Sequence, residues 1–274
     1  MTLVPPGLNF GSALGWPFDP VWPQRFVRDG FAHIRIAGHG PAPIFERASA
    51  EQCRDACGQM LDLGLQPLIT VRDSDQVTQL QHGTLVEHFN EADITSNGWQ
   101  HERDLANMYR IIEKCAERAL KLYVGGAVSG LHKRGFAHLS RYDWKNIPEH
   151  IGVSIHRYAT DQDCTKVTDW GGSFLSKPPK PWRERADEVK HLFDLVGSRP
   201  VAVTECGVCS AEYSEAQQCE AMRYEREFWS QYAEVLCAYT YTDDPRGTNC
   251  ESTFGLYDVD GNLKPHGAAF LGRG

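Results

Sequence analysis

Residues 85–91 read LVEHFNE, an apolar segment that ends in an amide and a carboxylate. Residues 200–205 read PVAVTE and also end on a carboxylate, that of Glu205. A polar residue that closes a buried strand lies where the backbone turns, at the rim of a sheet rather than in its core. We therefore predict that Glu91 and Glu205, although more than a hundred residues apart in the chain, are the two halves of one site.

Strand and helix patterns alternate along the rest of the chain. Strands are predicted at residues 8–12, 31–36, 68–72, 85–91, 122–126, 152–158, 200–205 and 236–241. Helical patterns follow Pro20 and occupy residues 49–63, 103–120, 183–196 and 215–235, with a short one after Lys264. Eight strands with helical crossovers and no adjacent hairpins favour an α/β fold, a (β/α)8 TIM barrel that forms a single compact domain over residues 1–274.

The composition narrows the range of partners. The chain has 274 residues, a net charge of −8 and a pI near 5.8, which argue against nucleic acid or an anionic membrane as a partner. No segment is long enough to span a membrane, and the amino terminus shows no charged-then-apolar leader. We expect a monomer that is either cytoplasmic or exported with a leader absent from this sequence.

The nine cysteines are scattered rather than arranged as a disulfide framework, which is typical of small buried side chains in a reducing compartment. Cys206 and Cys209 directly follow Glu205, and Cys164 and Cys250 lie in predicted loops at the same rim. A single C-x-x-C pattern is a weak signal for zinc or for redox chemistry. We predict no metal and no cofactor, and the sequence leaves open whether these rim cysteines form a disulfide.

Alternation along the predicted strands brings further polar side chains to the same rim. The pairs that share a face near the carboxyl end of a strand are His33 and Arg35, His156 and Tyr158, and Tyr239 and Tyr241. Barrels of parallel strands place their chemistry at this end. A regular strand would point Asn90 and Glu91 to opposite faces, so both reach the site only if the fourth strand ends in a bulge or an immediate turn.

These residues resemble the signature of the retaining glycoside hydrolases of clan A, which are (β/α)8 enzymes with catalytic glutamates on strands four and seven. The positions that carry the resemblance are Asn90-Glu91, Glu205, Arg35 and His156-x-Tyr158. Residues 87–91 (EHFNE) are similar to strand four of family 39, and residues 254–261 (FGLYDVDG) resemble the closing segment of families 5 and 39. Residues 90–93 (NEAD), with the small size, resemble the β-1,3-glucanases of family 128.

The resemblance implies an endo-acting retaining enzyme that cleaves β-linked polysaccharide or oligosaccharide, of β-glucan or β-mannan type, by double displacement. Glu91 would be the acid/base and Glu205 the nucleophile, with the carboxyl groups about 5 to 5.5 Å apart. Two positions depart from the family pattern. Strand eight usually offers a tryptophan where this chain has Tyr239 or Tyr241, and strand three of family 5 often ends in a histidine where it has Arg72. These departures leave the identity of the glycan open.

Supporting roles follow from the same chemistry. Arg35 and the Tyr158 hydroxyl are the candidates for keeping Glu205 ionised. Asn90 is expected to bind the sugar 2-hydroxyl, a contact that strengthens in the transition state. His156 would orient the sugar or the acid/base.

Other charged residues of the predicted strands are expected to support the site. Glu87 is interpreted as a deep barrel charge that pairs with Arg35 or Arg72. His33 is interpreted as an interior or loop-supporting histidine. Arg157, on the opposite face of strand six, is expected to support the surrounding helices.

Five tryptophans lie in or near predicted strand-to-helix connections: Trp16, Trp99, Trp144, Trp170 and Trp182. Sugar rings present apolar C–H faces that stack on aromatic side chains. Two or three of the five, with Trp16, Trp99 and Trp170 as the candidates, are expected to act as platforms in an open cleft. Trp229, within a predicted helix, is expected in the core.

Two other classes of protein remain open. A metal-dependent barrel hydrolase or isomerase would use His33, His156 and the glutamates as ligands, although the sequence lacks the H-x-H and H-E-x-x-H spacings. A carbohydrate-binding barrel without catalysis would bind glycan and release no reducing ends. Within the enzymatic interpretation, transglycosylation competes with hydrolysis.

Overall fold

Eight parallel strands close into a barrel in the order of the chain. The computed structural model describes residues 2–10, 21–37, 49–93, 99–127, 133–158, 185–210, 213–245 and 250–273. The strands are β1 (Gly7–Asn9), β2 (His33–Ala37), β3 (Gln66–Val71), β4 (Leu85–His88), β5 (Lys121–Ala127), β6 (Gly152–His156), β7 (Val201–Cys206) and β8 (Ala233–Tyr239). The helices are α1 (Val21–Arg28), α2 (Ala50–Leu61), α3 (His101–Glu117), α4 (Lys133–Leu139), α5 (Arg185–Val196), α6 (Glu215–Trp229) and α7 (Pro265–Leu271). The predicted (β/α)8 fold is therefore confirmed.

The interior of the barrel changes from apolar to polar toward the carboxyl ends of the strands. The register pairs Leu68 with Leu85 and, two residues further on, Thr70 with Glu87. Because strand side chains alternate, these pairs occupy successive interior layers. The apolar layer consists of Leu68, Leu85, Tyr123, Ala202, Val235 and Cys237. The polar layer above it leads to the rim where the site is predicted.

The helices pack around the strands through apolar stripes that the sequence shows. In α3 the buried side chains include Met108, Ile111, Ile112 and Cys115, at helical spacing. Helices α2 and α6 each begin with a capping box, in which a serine and a glutamine satisfy free backbone N–H groups. Trp229 is fully buried, as predicted. No helix among the described residues is long and apolar enough to cross a membrane.

The end of α6 differs from the sequence prediction. The helical pattern was expected to continue to residue 235, but α6 ends at Trp229, with Ser230 as its C-cap, and β8 begins at Ala233. A short segment such as residues 233–235 suits a strand as well as a helix, and pairing of β8 with β1 and β7 decides in favour of a strand. Helix α4 had no predicted counterpart. Strands β4, β6 and β8 each end two or three residues earlier than expected.

The cysteines are mostly buried thiols. Six cysteines of the described residues form no disulfide: Cys53, Cys57, Cys115, Cys206 and Cys237 are buried, and Cys219 is half-buried. Cys209 is disulfide-bonded, so Cys206 and Cys209 do not pair with each other. The side chains of Cys164 and Cys250 lie outside the described part of the chain.

Candidate active site

The chain turns immediately after β4, and this turn carries two of the predicted site residues. Phe89 and Glu91 have φ angles of 66° and 52°, in the left-handed region, and the Phe89 N–H still bonds the Val71 carbonyl of β3 at 3.0 Å. A Cβ at Gly126 of β5 would lie 2.2 Å from the Phe89 oxygen, so only glycine accommodates the turn. Because the strand stops at this point, Asn90 and Glu91 reach the same site.

Arg35 of β2 connects three site residues. Its Nη1 donates to Oε1 of Glu205 at 2.7 Å, its Nε to Oε2 of Glu87 at 2.6 Å and its Nη2 to Oδ1 of Asn90 at 2.6 Å. The residue is 1% exposed. Burial alone would lower the pKa of Arg35, but the charges of Glu87 and Glu205 outweigh burial and raise it. The rigid guanidinium fork therefore fixes the relative positions of its partners.

Glu87 is a fully buried charge below the site. Oε1 accepts a hydrogen bond from Thr204 at 2.8 Å, and Oε2 accepts from Thr70 at 2.9 Å as well as from Arg35. Burial alone would raise the pKa of Glu87, but the charge of Arg35, with further help from His156 and the Thr204 hydrogen bond, lowers it. Of its two predicted partners, Glu87 pairs with Arg35. Arg72 lies over the ring of Phe89 instead, 4.9 Å from its centroid.

Each oxygen of the Glu205 carboxylate has a donor. Arg35 donates to Oε1, and the Tyr158 hydroxyl donates to Oε2 at 2.5 Å. Glu205 is 6% exposed. Its negative charge is stabilised by the hydrogen bonds from Arg35 and Tyr158. The two groups predicted to hold Glu205 ionised are therefore both in contact with it.

His156 lies between the two glutamates. Its Nδ1 is 3.4 Å from Oε2 of Glu205 and 3.6 Å from Oε1 of Glu91. One carboxylate oxygen of Glu91, one of Glu205 and a ring nitrogen of His156 all lie within 4.8 Å of one another. Burial alone would lower the pKa of His156, but the charge of Glu205 and the proximity of Glu91 outweigh burial and raise it.

The same three side chains have a spacing that could hold a metal ion. Both oxygens of Glu205 are already engaged, one of them by the Arg35 cation at 2.7 Å. A divalent cation at that carboxylate would be repelled by the guanidinium at short range. The charges around Glu205 therefore disfavour a divalent metal ion at this carboxylate.

Three aromatic rings stand beside Glu205. The Tyr158 ring centroid is 5.4 Å from that of Phe254 and 6.2 Å from that of Tyr239, and Tyr239 and Phe254 are 5.7 Å apart. Tyr239, the last residue of β8, was predicted at the site. Phe254 was not predicted at the site, although it opens the segment that resembles families 5 and 39. Because it lies in a long connection after β8, strand alternation could not assign its side chain to a face of the barrel.

Several predicted residues lie elsewhere. Tyr241 points away from the site: its hydroxyl donates to Asp29 at 2.6 Å, and its ring packs against those of Trp22, Phe26 and Phe31. The prediction was wrong because β8 ends at Tyr239, so strand alternation does not extend to residue 241. His33 begins β2 and therefore lies at the amino end of the barrel rather than at the carboxyl end that its pairing with Arg35 suggested.

Of the five tryptophans predicted near strand-to-helix connections, two pack inside the described part of the protein and three lie outside it. Trp99 packs behind the β4 turn, with ring centroids 5.0 Å from Phe89 and 5.5 Å from His138, and lines a cavity of about 360 Å³ on that side. Trp144 was wrongly predicted near a strand-to-helix connection: it follows α4, which was missed, and is buried before β6. Trp16, Trp170 and Trp182 lie outside the described residues. Arg157 bonds Glu188 of α5 at 3.3 Å, as expected of a helix-supporting residue.

The fold and these contacts define a (β/α)8 barrel with two glutamates facing each other at its carboxyl-terminal rim. No protein-family model matches the chain, and a search of curated proteins finds no match. Solved structures do match. A family 5 (subfamily 18) glycoside hydrolase from Streptomyces cattleya, in complex with GlcNAc, aligns with a TM-score of 0.66 and 16% identity over 99% of this chain and 79% of that one.

Two family 128 enzymes have a similar fold. An exo-β-1,3-glucanase of subgroup VI from Aureobasidium namibiae aligns with a TM-score of 0.65 and 10% identity, over 99% of this chain and 97% of that one. An endo-β-1,3-glucanase of subgroup I from Amycolatopsis mediterranei, in complex with laminaritriose, aligns with a TM-score of 0.61 and 15% identity, over 99% of this chain and 100% of that one. The resemblance to clan A barrels, with no single family resolved, is thus confirmed at the level of the fold.

Proposed function

We propose that this protein is a retaining glycoside hydrolase in which Glu91 is the acid/base and Glu205 the nucleophile. The observation that carries the proposal is the separation of the two carboxylates, whose nearest oxygens lie within 4.8 Å. Retaining enzymes hold their carboxyl groups about 5 to 5.5 Å apart, whereas inverting enzymes keep about 6.5 to 9.5 Å to admit a water molecule. The short separation supports direct attack by one carboxylate on the sugar.

The contacts of each glutamate support its role. Glu205 accepts hydrogen bonds from Arg35 and Tyr158, which stabilise the charged form that a nucleophile needs. Glu91 is more exposed, with 14% of its side chain accessible against 8% for Glu205. It is therefore the better placed of the two to exchange a proton with the leaving group and with water.

The reaction proceeds in two displacements. Glu91 first donates its proton to the glycosidic oxygen while Glu205 attacks the anomeric carbon, which breaks the bond to the leaving sugar and forms a glycosyl ester. Glu91, now a carboxylate, then removes a proton from water as that water attacks the same carbon and releases Glu205. His156, near both carboxylates, compensates the negative charge as it moves from Glu205 to Glu91.

Asn90 is placed to bind the sugar hydroxyl next to the anomeric carbon. A guanidinium can only donate hydrogen bonds, so Asn90 must present Oδ1 to Arg35, as observed at 2.6 Å. This contact orients the amide N–H groups of Asn90 as donors toward the substrate. A donor fixed in this way favours the 2-hydroxyl contact, which strengthens in the transition state.

The proposed substrate is a β-linked polysaccharide or oligosaccharide of β-glucan or β-mannan type, attacked internally. The similarity to β-1,3-glucanases of family 128 supports a glucan. A panel of β-glucans, mannans, xylan and chitosan with product analysis tests this, and activity should persist after exhaustive chelation. Glucan or mannan binding without release of reducing ends would instead indicate a non-catalytic barrel.

Azide distinguishes the two catalytic roles. Glu205→Ala and Glu91→Ala should each lower turnover by about 10³-fold or more, while Glu113→Ala, an exposed change on α3, should not. With an activated substrate, azide should rescue Glu205→Ala with an inverted glycosyl azide and Glu91→Ala with a retained one. Full activity in either alanine variant would remove that residue from the mechanism.

A further inference from the structure

The connection between β8 and α7 folds back onto the rim beside Glu205. Leu256 N–H bonds the Thr240 carbonyl at 3.0 Å, and Tyr257 N–H bonds the Tyr241 carbonyl at 2.9 Å. Residues 252–257 therefore run alongside the end of β8. This arrangement brings Phe254 to the site from a position more than ten residues beyond the last strand.

The residues on both sides of Phe254 are tied to neighbouring loops. The Thr253 carbonyl accepts from the Ser210 N–H at 3.1 Å and from Lys264 Nζ at 3.3 Å. Lys264 also bonds both oxygens of Asp243 at 2.9 Å, and Asp243 accepts from the Gly255 N–H at 2.8 Å. The side chains of Lys264 and Asp243 are 13% and 16% exposed. We call this set, formed by Ser210, Asp243, Thr253, Gly255 and Lys264, the Lys264 clamp.

The Phe254 ring packs closely against the backbone at Gly207. The residue is 5% exposed, and a Cβ at Gly207 would lie 2.9 Å from its ring. The absence of a side chain at Gly207, two residues after Glu205, therefore makes the space that the ring occupies. The Lys264 clamp and the close approach at Gly207 together restrict the movement of the Phe254 ring.

Tyr158 packs against this ring. Strand β6 ends at His156, so the ladder does not fix the Tyr158 side chain. Its phenol instead packs edge-on against Phe254 at 5.4 Å and Tyr239 at 6.2 Å, while its hydroxyl bonds Glu205 at 2.5 Å. Centroid distances in this range are those of favourable edge-to-face pairs.

We infer that Phe254 is a positioning residue: held by the Lys264 clamp, it keeps the Tyr158 hydroxyl on Oε2 of Glu205. The inference rests on the proposed function, because it assumes that the Glu205 carboxylate reacts. Phe254 acts through Tyr158, because its ring has no hydrogen-bond donor to offer the carboxylate. Its removal should therefore affect turnover in the same way as removal of the Tyr158 hydroxyl.

A double-mutant cycle between Phe254→Leu and Tyr158→Phe tests the inference. Phe254→Leu should lower kcat about tenfold with little change in KM, because the reacting groups are misplaced and not the substrate. The acidic limb of its pH profile should move in the same direction and by the same amount as in Tyr158→Phe, since both variants disturb the same hydrogen bond to Glu205. In the Tyr158→Phe background, Phe254→Leu should have no further effect on either quantity.

Two further variants separate positioning from general loosening of the connection. Lys264→Met should change kcat and the pH profile in the same direction as Phe254→Leu, and should add nothing to it. Tyr257→Leu also removes an aromatic ring from the connection, but that ring stacks on Tyr241 at 4.8 Å, so the pH profile should stay unchanged. All variants are first checked for cooperative thermal unfolding.

The outcomes separate this inference from the proposed function. Independent, multiplicative effects of Phe254→Leu and Tyr158→Phe on kcat would overturn the positioning role, as would a pH shift in Tyr257→Leu equal to that in Phe254→Leu. Neither result would affect the roles of the glutamates. Full activity in Glu205→Ala, in contrast, would overturn the proposed function first.

Discussion

Arg35 and Glu205 form a hydrogen-bonded ion pair inside the barrel, with Nη1 and Oε1 2.7 Å apart and side chains 2% and 8% exposed. The same guanidinium neutralises Glu87 one layer deeper, at 2.6 Å. Replacing Arg35 by methionine would leave two buried carboxylates without their cation. We expect Arg35→Met to lower kcat/KM by about 10²-fold or more and the free energy of unfolding by about 3 to 5 kcal/mol, measured by initial rates and urea unfolding.

A second substitution, at Glu87, provides the control for Arg35→Met. Arg35→Met/Glu87→Met removes both charges of the deeper pair, so part of the lost stability should return while activity stays low. If the double variant were no more stable than Arg35→Met alone, an uncompensated charge at Glu87 would not be the cause of the loss.

His156 should give a pH-dependent contribution to stability. Its pKa is raised in the folded protein, after the lowering effect of burial is outweighed by Glu205 and Glu91, so folding favours the protonated ring. The stabilisation is fully present below the unfolded pKa of about 6.5 and is lost as pH rises through the folded pKa. The stability advantage of the natural protein over His156→Gln should therefore shrink at alkaline pH, and the ring titration can be followed by NMR.

His33 is a matched control of opposite sign. Burial lowers the pKa of His33, so protonation is unfavourable in the folded state. Relative to His33→Gln, the natural protein should lose stability as pH falls below about 6.5. Parallel pH trends for the two histidine variants would contradict the assignment of His156 to a site dominated by negative charge.

Tyr241 distinguishes a structural tyrosine from the site tyrosines. Its hydroxyl bonds the buried Asp29 at 2.6 Å on the far side of β8 from Glu205. Tyr241→Phe removes one hydrogen bond from that carboxylate, which keeps its contacts with Arg28 and Tyr257. Because the lost bond is to a charged group, the free energy of unfolding should fall by about 1.5 to 3 kcal/mol. Activity at a temperature well below unfolding should remain within about twofold. Tyr239→Leu, in contrast, should lower kcat, because Tyr239 packs against Tyr158.

Local sequence rules located the parts of the site that lie on strands. Arg35, Glu87 and Glu205 follow from alternation along β2, β4 and β7, since a period of two leaves each of them one possible face. The requirement for a turn after β4 also followed, because Asn90 and Glu91 are adjacent residues. The positive φ angles of that turn depend on Gly126 of the neighbouring strand, a contact that no local pattern reveals.

The errors arose where a strand ends. Strand alternation was extended to Tyr241 although β8 stops two residues earlier. The helical pattern was extended from α6 into β8 because the mixed residues 230–235 (SQYAEV) carry no turn signal between the two elements. Phe254 could not be predicted, because its place beside Tyr158 is attributed to the Lys264 clamp, which joins the β7–α6 connection to distant parts of the β8–α7 connection. Element ends and long connections depend on tertiary contacts, which local periodicity does not report.

The disulfide of Cys209 should contribute to stability at the rim. Cys209 is buried and disulfide-bonded, and its Sγ lies 3.3 Å from the Thr253 hydroxyl next to Phe254. Cys209→Ala should lower the free energy of unfolding by about 2 to 4 kcal/mol, measured by urea unfolding without reductant. Reductant should destabilise the natural protein and leave Cys209→Ala unchanged. Cys219→Ala, which removes a free thiol from α6, should respond to reductant as the natural protein does; equal reductant sensitivity of Cys209→Ala would mean that another bond is being reduced.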